Sequence, residues 1–447
     1  MKVLVLGSGG REHALAWKLR ESQLTDDIYC APGNAGIAQE AECLPVDVSN
    51  PAAVLDLANQ LQADLTVVGP EAPLAAGIVD LFEKAGLGII GPVRAAAALE
   101  SSKIFAKQFM QRRQIPTARF TIADNLEAAV RALDEFAPPT VIKADGLAAG
   151  KGVVVAKTRE EAEGTLEAFM RAKTLGSAGD RVVIEERLTG EELSFIVLTD
   201  GQSVLALPPS QDHKALLDGD EGPNTGGMGA YSDDAIIGEG LRGDILRRIV
   251  NPTLAGLAAE GVVYRGFLYF GLMVTRDGPM LLEYNVRLGD PEAQPTLMRL
   301  RSDLVPLLVS AREGSLGARD PHWTPSPAVC VVLASSGYPG KPETGKVITG
   351  YDVAENMGGV KIFHAGTAVC DHRLATTGGR VLGVTAMGEN LAVAVQRAYA
   401  AVAKIHFEGM HYRRDIGAKM VRRPSYPTPD KGPIQLRSEF QGPSKYC

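Results

Sequence analysis

The sequence lacks the features that mark several common classes of protein. Its five cysteines form no C-x-x-C pair, and its seven histidines show no metal-ligand spacing with a third partner, so neither a disulfide framework nor a zinc site is indicated. No stretch approaches the roughly 18 apolar residues of a membrane span, and the chain starts with an apolar strand pattern instead of a signal peptide. We therefore expect a cytoplasmic protein.

The chain also lacks a strong excess of either charge. Its formal net charge is -7 over 447 residues, and without a basic block we expect neither a nucleic-acid partner nor a membrane partner. The pairs Arg413-Arg414 and Arg422-Arg423 are short, and we interpret them as solvated. With 45% apolar and 22% charged residues, the composition is that of a globular protein of about three domains.

What the sequence does contain begins with the stretch MKVLVLGSGGRE. Gly7 and Gly9 fit the fingerprint of a dinucleotide site, but Glu12 stands at the third glycine position, and no acid ends the next apparent strand. A glycine turn before a helix favours an anion, and a phosphate fits better than a dinucleotide. The alternative is that Gly9 and Gly10 only supply a positive φ at a turn.

Residues 1–100 alternate short apolar strands with helices, which predicts a parallel sheet covered on both faces. Ligands of such sheets bind at the carboxyl ends of the strands. The turn from Gly7 to Arg11 and the loop from Gly69 to Leu74 should therefore line one crevice. Glu71 would face a ligand there, although a loop glutamate on the surface is equally expected.

The pattern changes near residue 100 and again at a proline-marked linker. We predict an N-terminal parallel α/β domain over 1–100, a central domain over 101–325 and a C-terminal α+β domain, rich in strands, over 326–421. The fold class is thus a multidomain combination of α/β and α+β. Residues 422–447 carry five prolines and are expected to be a disordered tail.

The stretch VIKADGLAAGKGVVV, from Val141, is not a Walker A loop, because its glycine spacing and the residue after its lysine are wrong. We interpret it as a glycine-rich loop between the strands TVIKA and GVVVA. Such a loop can lie over a polyphosphate while lysines meet its charge; a purely structural glycine hairpin is the alternative. The residues concerned are Lys143, Gly146, Gly150, Lys151 and Gly152.

In two further stretches, polar and charged residues stand at the end of an apolar strand or directly after it. The stretch VVIEERLTGEELS could bind the adenine amino group and ribose hydroxyls of a nucleotide through the acids Glu185, Glu186 and Glu192 and the backbone of Leu188. The alternative is that these acids are solvated, as consecutive acids commonly are. In GPMLLEYNVRLGDPE, a period of two puts Glu283, Asn285 and Arg287 on one face. Oxygen ligands suit a magnesium ion on phosphates, and arginine binds a carboxylate or phosphate with two N–H groups; a solvent-facing strand is the alternative.

The segment PSQDHKALLDGDEGPNTGGMGAY, from Pro209 to Tyr231, is too rich in glycine and aspartate for a regular element, so we predict a long functional loop. Its glycines Gly226, Gly227 and Gly229 offer backbone amides to an anion. His213 has no identifiable partner and receives no acid–base role. The other polar candidates are Asp212 and Lys214.

Taken together, these motifs resemble the ATP-grasp ligases and, within them, the phosphoribosylamine–glycine ligases. The resemblance covers residues 1–421 and rests on six motifs in family order. They are GSGGREHA from Gly7, S-K-x-F from Ser102, IKADGLAAGKGV from Ile142, QDHK from Gln211, GPNTGGMGAY from Gly222 and EYNVRLGDPE from Glu283.

The resemblance implies a Rossmann-like N-terminal domain, an ATP-grasp domain with a mobile lid at about 121–187, and a monomer that acts on small molecules. It implies that glycine reacts with ATP to give glycyl phosphate, which 5-phosphoribosylamine then attacks. Mg²⁺ or Mn²⁺ would bind Glu283 and Asn285. The implied ATP residues are Lys103, Lys143, Gly146, Gly150, Lys151, Gly152, Glu185, Glu186, Leu188 and Glu192. The implied substrate residues are Gly9, Gly10, Arg11, Glu71, Gly226, Gly227, Gly229, Arg287, Gly289 and Asp290, and the implied catalytic residues are Arg287, Lys143, Asp212 and Lys214.

Three positions depart from the pattern that the resemblance leads us to expect. Ala215 replaces an arginine after DHK, Leu288 replaces a phenylalanine, and Gly271 stands where many ATP-grasp ligases carry a metal-binding acid. The alternatives that stay open are another ATP-grasp carboxylate–amine ligase or carboxylase of purine metabolism, a nicotinamide dehydrogenase and a non-catalytic nucleotide-binding regulator. Glu12 and the lysine–glycine elements disfavour the dehydrogenase.

Overall fold

The computed structural model describes residues 1–148 and 152–422. The first hundred residues form a parallel sheet with helices packed on it, as the alternating pattern predicted. Its strands are β1 (Lys2–Gly7), β2 (Asp27–Pro32), β3 (Glu42–Cys43), β4 (Leu65–Val68) and β5 (Ile89–Ile90), in the order β3-β2-β1-β4-β5. The helices are α1 (Gly10–Arg20), α2 (Pro51–Leu61), α3 (Glu71–Ala76), α4 (Ile78–Ala85) and α5 (Arg94–Ser101). Because β1 and β4 are neighbours, their terminal glycine turns lie side by side.

A smaller antiparallel sheet follows helix α6 (Lys103–Arg112) and has the strand order β6-β9-β7-β8. Its elements are β6 (Phe120–Ala123), α7 (Leu126–Ala132), β7 (Thr140–Ala144), β8 (Val153–Ala156), α8 (Arg159–Leu166) and β9 (Val182–Glu186). The pairing of β7 with β8 confirms the two strands predicted around the glycine-rich loop. Gly150 and Lys151 lie outside the described residues, and the lid limits of 121–187 stay a prediction.

The remaining chain builds a nine-stranded antiparallel sheet in the order β17-β16-β10-β12-β15-β18-β22-β19, with β11 paired to β10. Two strand pairs, β13 with β14 and β20 with β21, stand apart from it. The strands are β10 (Glu191–Thr199), β11 (Val204–Ala206), β12 (Ser210–Asp212), β13 (Ala215–Leu217), β14 (Glu221–Asn224), β15 (Gly229–Ser232), β16 (Gly266–Thr275), β17 (Gly278–Asn285), β18 (Ala328–Ala334), β19 (Val360–His364), β20 (Thr367–Cys370), β21 (Arg373–Thr376) and β22 (Arg380–Met387). The helices are α9 (Glu239–Ile245), α10 (Asn251–Ala259), α11 (Ala293–Arg299), α12 (Leu304–Glu313), α13 (Tyr351–Glu355), α14 (Leu391–Val402) and α15 (Ala418–Val421).

This sheet continues across the proline-marked linker near residue 325, because β15 pairs with β18. The predicted central and C-terminal domains therefore share one sheet, although the boundary itself stays a prediction. The predicted tail beyond residue 422 lies outside the described residues. Within them, no helix is long and apolar enough to cross a membrane.

The segment from 209 to 231 was expected to be one long loop, and this expectation was wrong. It contains the four short strands β12 to β15. Backbone pairing needs no apolar alternation when a strand has hydrogen-bonding neighbours, and β12 pairs with both β10 and β15. Gly219 and Gly227, with φ of 74° and 112°, lie in the connections from β13 to β14 and from β14 to β15, where a positive φ favours glycine.

The face alternation predicted for GPMLLEYN is confirmed. Tyr284 and Val286 are buried in the hydrophobic core, whereas Glu283 is partly exposed, with a third of its side chain accessible (34%). Residues on a strand alternate between its faces, so Asn285 shares the face of Glu283. This face of β17 points into the cleft described next.

Candidate functional site

The two neighbouring glycine turns of the parallel sheet close around the carboxylate of Glu12. The backbone N–H of Gly9 donates to Glu12 Oε2 (2.6 Å), and Arg11 Nε donates to Glu12 Oε1 (2.6 Å). A Cβ added at Gly7 or at Gly69 would collide with this side chain. Gly9 has an extended φ of -89°, so its role is close approach and not a positive φ. Glu12 thus fills the space that a third glycine leaves open in a dinucleotide site.

Arg287 follows β17 and is held by two carboxylates from the N-terminal hundred residues. Its Nε lies 3.2 Å from Glu71 Oε2, and its Nη2 lies 2.9 Å from Glu100 Oε1. The other Glu100 oxygen accepts the Val286 backbone N–H at 2.6 Å. Burial raises the pKa of Glu100 to about 7 despite the charge of Arg287. Burial has the same direction at Glu71, but there Arg287 and Arg11 outweigh it and lower the pKa.

Arg380, which no sequence motif indicated, connects the glycine segment to Asp290. Its Nη1 donates to the carbonyls of Gly226 (2.7 Å) and Asp290 (2.6 Å), and its Nη2 lies 3.2 Å from Asp290 Oδ2. Burial opposes ionisation of Asp290, but Arg380 and Arg11 outweigh it and lower its pKa. Gly9 faces the same carboxylate, since an added Cβ would lie 3.1 Å from Asp290 Oδ2.

The predicted glycine amides are engaged within the protein. The Gly226 N–H donates to the Tyr338 hydroxyl (2.9 Å), and the Gly227 N–H donates to Thr225 Oγ1 (3.0 Å). Gly229 belongs to β15. The expectation that these three glycines present free N–H groups to an anion is therefore corrected for Gly226 and Gly227. Their small size instead allows close approach, because a Cβ at Gly227 would lie 2.9 Å from Asp212 Oδ1.

Lysines of strand β7 and helix α6 line the opposite side of the cleft. Glu185 lies between Lys143 Nζ (2.8 Å) and Lys107 Nζ (3.0 Å) and is 2% exposed. Lys103 Nζ donates to the Gly146 carbonyl at 2.8 Å. Burial lowers the pKa of Lys107 to about 8 and also lowers that of Lys103. Both Glu185 oxygens already face lysines. The predicted hydrogen bond between Glu185 and an adenine amino group therefore stays a prediction that these contacts do not support.

Three other predicted ATP residues lie around this lysine side without direct contact to it. Glu186 pairs with Arg119, whose Nε lies 2.8 Å from Glu186 Oε2. Leu188 is partly buried in the segment that joins β9 to β10. Gly152 precedes β8, and a Cβ there would lie 3.8 Å from Lys103 Nζ. Their roles in binding a nucleotide stay predictions.

Lys214 joins the two sides through carboxylates. Its Nζ lies 3.5 Å from both Glu192 Oε2 and Glu283 Oε1. Burial disfavours its charge, but these two carboxylates outweigh that effect and raise the pKa of Lys214 well above its usual value. Burial likewise disfavours the charge of Glu283, whose pKa is nevertheless lowered, chiefly by Lys214 and Lys143. Glu283 is therefore an ionised carboxylate on the strand face that it shares with Asn285, and its role as a metal ligand stays a prediction.

Asp212 and Glu292 form a second pair of acids near Lys214. Asp212 Oδ1 is buried and has no hydrogen-bond partner within the described structure. Burial, and then the nearby charge of Glu292, raise the pKa of Asp212 well above its usual value. Glu292 accepts a hydrogen bond from Ser194 Oγ at 3.0 Å. The sequence selected Asp212 but missed Glu292, which stands in the selected stretch GDPE without a spacing that signals its role.

A four-stranded antiparallel sheet that carries lysines and faces a larger sheet that carries carboxylates has the architecture of an ATP-grasp enzyme. Three family models match the chain. They are described as phosphoribosylglycinamide synthetase, N domain (residues 1–100), ATP-grasp (A) domain (101–293) and C domain (328–419). The chain therefore belongs to the phosphoribosylglycinamide synthetase family, whose ATP-grasp fold uses ATP with a divalent metal ion.

Individual proteins agree with this assignment. A phosphoribosylamine–glycine ligase from Xylella fastidiosa is 51% identical over 427 residues, which are 95% of this chain and 99% of that protein. The crystal structure of the Thermotoga maritima phosphoribosylamine–glycine ligase is 37% identical, with a TM-score of 0.80 over 93% of this chain and 100% of that one. A Campylobacter jejuni biotin carboxylase, at 18% identity and a TM-score of 0.70 over 95% of both chains, shares the fold alone.

Proposed function

We propose that this cleft joins glycine to 5-phosphoribosylamine, with ATP converted to ADP and phosphate, in purine biosynthesis. Relatives that are about half identical over nearly their whole length carry the name of this ligase. The observation that carries the proposal is the row formed by Glu283, Asn285 and Arg287. It runs from the lysine side of the cleft to the crevice of the parallel sheet, so that one strand can serve a nucleotide and a small carboxylate together.

On the lysine side, the protein supplies charge for a triphosphate and oxygens for a metal ion. Glu283 is ionised and Asn285 adds a carboxamide oxygen, a donor set that fits Mg²⁺ or Mn²⁺. The described residues hold no group of three His, Cys, Asp or Glu side chains disposed as a metal site, so phosphate oxygens would complete the coordination. When bound, the metal ion supplies positive charge to the transferring phosphoryl group. Lys103 and Lys143 add to this charge.

In the first step, a carboxylate oxygen of glycine attacks the γ-phosphorus, and the bond between that phosphorus and the bridging oxygen of ADP breaks. Arg287 binds the glycine carboxylate and orients it, because its guanidinium can make two parallel hydrogen bonds to a carboxylate. Positioning and charge neutralisation carry phosphoryl transfer of this kind, without a nucleophilic side chain. Closure of the smaller sheet would keep water from the acyl phosphate.

In the second step, the amine nitrogen of 5-phosphoribosylamine attacks the acyl carbon, and the carbon–oxygen bond to phosphate breaks. The amine loses one proton as the amide forms. Asp212 is the proposed acceptor, since one of its oxygens is buried without a partner within the described structure, and burial and Glu292 raise its pKa well above its usual value. Lys214 compensates the negative charge that develops nearby.

The phosphoribosyl group would occupy the crevice between the two glycine turns. Gly10 begins helix α1 and Gly9 caps it. The Gly9 N–H is taken by Glu12, so the first N–H groups of the helix itself would favour a phosphate, with Arg11 and Glu71 beside them. Asp290 and Gly289 form the wall that faces the amine. We further propose that the protein acts as a monomer in the cytoplasm, on small molecules and without a nucleic-acid or membrane partner.

The test is release of ADP by the purified protein supplied with Mg-ATP, glycine and freshly prepared 5-phosphoribosylamine. We expect ADP formation to require both glycine and the amine, and the amide product to appear in equal amount. Alanine and bicarbonate in place of glycine are the controls. Turnover with bicarbonate, or with no dependence on glycine, would instead support another carboxylate–amine ligase or a carboxylase.

A further inference from the structure

Arg413 is a buried cation in a part of the chain that carries none of the proposed site residues. Its side chain has 0% exposure, so the interpretation of Arg413 as a solvated surface charge was wrong. It stands in the segment between helices α14 and α15. A buried guanidinium is retained only with good partners, and its partners here connect two distant parts of the chain.

The guanidinium of Arg413 binds the hairpin formed by β13 and β14. Its Nη1 lies 2.9 Å from Asp220 Oδ1 at the hairpin tip and donates to the carbonyl of Ala215 (3.2 Å). Its Nε and Nη2 each donate to Asp415 at 2.8 Å. Asp415 in turn accepts the backbone N–H of Gly219, also at the tip, at 2.9 Å. Arg413 and Asp415 therefore fix both the base and the tip of the hairpin.

Neighbouring residues extend this connection along the hairpin. The Arg414 N–H donates to Asp218 Oδ1 (2.7 Å), and His411 Nε2 lies 3.1 Å from the carbonyl of Leu216. An isolated two-stranded hairpin is at best marginally stable in water. Strand β14 is exposed throughout, so packing gives it little support. The contacts with the segment 411–415 therefore supply much of the support that holds the hairpin in place.

The hairpin begins directly after two proposed catalytic residues. Lys214 precedes Ala215, and its carbonyl accepts hydrogen bonds from Thr225 N and Thr225 Oγ1 (2.8 Å each) at the end of β14. Asp212 lies at the end of β12. A shift of the hairpin would therefore move the backbone that carries Lys214, and with it the amine that faces Glu192 and Glu283.

We propose that Arg413 is a positioning residue for the ligation, which fixes the β13–β14 hairpin and thereby the placement of Lys214. This rests on the function proposed above. It assigns the segment 411–415 a part in catalysis in addition to its part in folding. Asp220 and Asp415 are the carboxylates through which Arg413 acts.

Arg413→Lys tests the proposal, because lysine keeps the charge but cannot make the forked contacts to Asp415, Asp220 and Ala215 at once. Asp220→Asn is a second variant on the more exposed side of the pair, chosen because it leaves the buried arginine with Asp415. Lys419→Ala is the matched control, since Lys419 also pairs with Asp220 but from a largely exposed position. Two readouts are compared for each variant. They are steady-state kinetics and amide hydrogen exchange of residues 215–224.

For Arg413→Lys we expect exchange in residues 215–224 to accelerate at least about tenfold, with exchange in β7 unchanged. We expect kcat/KM for glycine to fall about tenfold or more, with the KM for ATP within twofold of wild type. Asp220→Asn should shift both readouts in the same direction by less, and Lys419→Ala should shift neither.

The proposal is overturned if folded Arg413→Lys matches wild type in hairpin exchange and glycine kinetics. It is equally overturned if exchange accelerates throughout the protein and the KM for ATP rises alongside that for glycine, since this is the result of general destabilisation. A wild-type protein without glycine-dependent ADP release would contradict the proposed function instead, because hairpin exchange would still report on the contact.

Discussion

The two sides of the cleft use different cations, and their surroundings differ accordingly. On the lysine side, where we propose that the nucleotide binds (the nucleotide side), lysines face a carboxylate of the smaller sheet, as Lys143 and Lys107 face Glu185. On the opposite side, where we propose that glycine and the amine bind (the acceptor side), arginines bind carbonyls and carboxylates of distant segments, as Arg380 binds Gly226 and Asp290. A lysine is a point charge on a flexible stem, whereas an arginine is a rigid fork.

This difference indicates which side of the cleft gains partners from a bound ligand and which side already has them within the protein. Burial lowers the pKa of Lys103 and Lys107, so these amines gain from an added polyphosphate. Arginine stays charged at any physiological pH, and each arginine here already has several partners. We propose that a bound nucleotide completes the lysine side of the cleft, whereas contacts between segments far apart in sequence preorganise the arginine side.

The strongest test of the nucleotide side is Glu283→Ala. We expect turnover to fall by about a thousandfold or more, because the change removes an oxygen ligand of the metal ion that neutralises the transferring phosphate. The unfolding temperature should stay near that of wild type, since Glu283 packs no core. ADP release and thermal unfolding measure both effects. Full activity in this variant contradicts the metal assignment.

On the acceptor side, Glu100→Gln tests whether burial or the charge of Arg287 has the larger effect on the pKa of Glu100. The pKa of Glu100 is raised from about 4.5 to about 7 in the folded protein. A carboxyl group whose pKa is raised on folding stabilises the folded protein fully when the pH lies below its pKa in the unfolded chain. This stabilisation is lost as the pH rises through its pKa in the folded protein. Relative to wild type, the variant should therefore gain about 3 kcal/mol between pH 4.5 and pH 8.

Urea unfolding of both proteins at pH 4.5, 6 and 8 measures this change. Glu83→Gln, an exposed change in the same parallel-sheet unit, is the control and should show no such trend. A constant difference between wild type and Glu100→Gln across this range would mean that Arg287 keeps Glu100 ionised.

Arg287→Lys asks whether the fork geometry matters or only the charge. We expect kcat/KM for glycine to fall about fiftyfold, because lysine loses the two-pronged contact with a carboxylate. The KM for ATP should change less than threefold. Initial rates with each substrate varied in turn provide the measurement. Equal losses for ATP and glycine would remove the distinction between the two sides.

The smallest expected effect concerns Glu12. Glu12→Gln keeps an acceptor for the Gly9 N–H but loses the charge paired with Arg11. We expect the KM for 5-phosphoribosylamine to rise about threefold to tenfold, as for one charge-assisted hydrogen bond, with the KM for glycine unchanged. A change in glycine kinetics alone would place the phosphoribosyl group elsewhere.

Much of the fold and part of the site could be predicted from local patterns. Alternation of apolar strands and helices predicted the parallel sheet, and the period of two predicted that Tyr284 and Val286 are buried. The prediction of a loop over 209–231 was wrong because short strands within a sheet are stabilised by their neighbouring strands, which composition does not reveal. The prediction that Arg413 is solvated was wrong for a similar reason, since nothing near it in the sequence indicates its pairing with Asp220.

The sequence by itself determined the order of the elements, the residue types at the cleft and the family, because short motifs carry their chemistry locally. Only the tertiary structure decided which charges meet. Glu100 pairs with Arg287, Arg380 with Asp290 and Arg413 with Asp220, and these partners lie 187, 90 and 193 positions apart in the sequence. Such pairs form because folding buries them together, where an unpaired charge costs several kcal/mol.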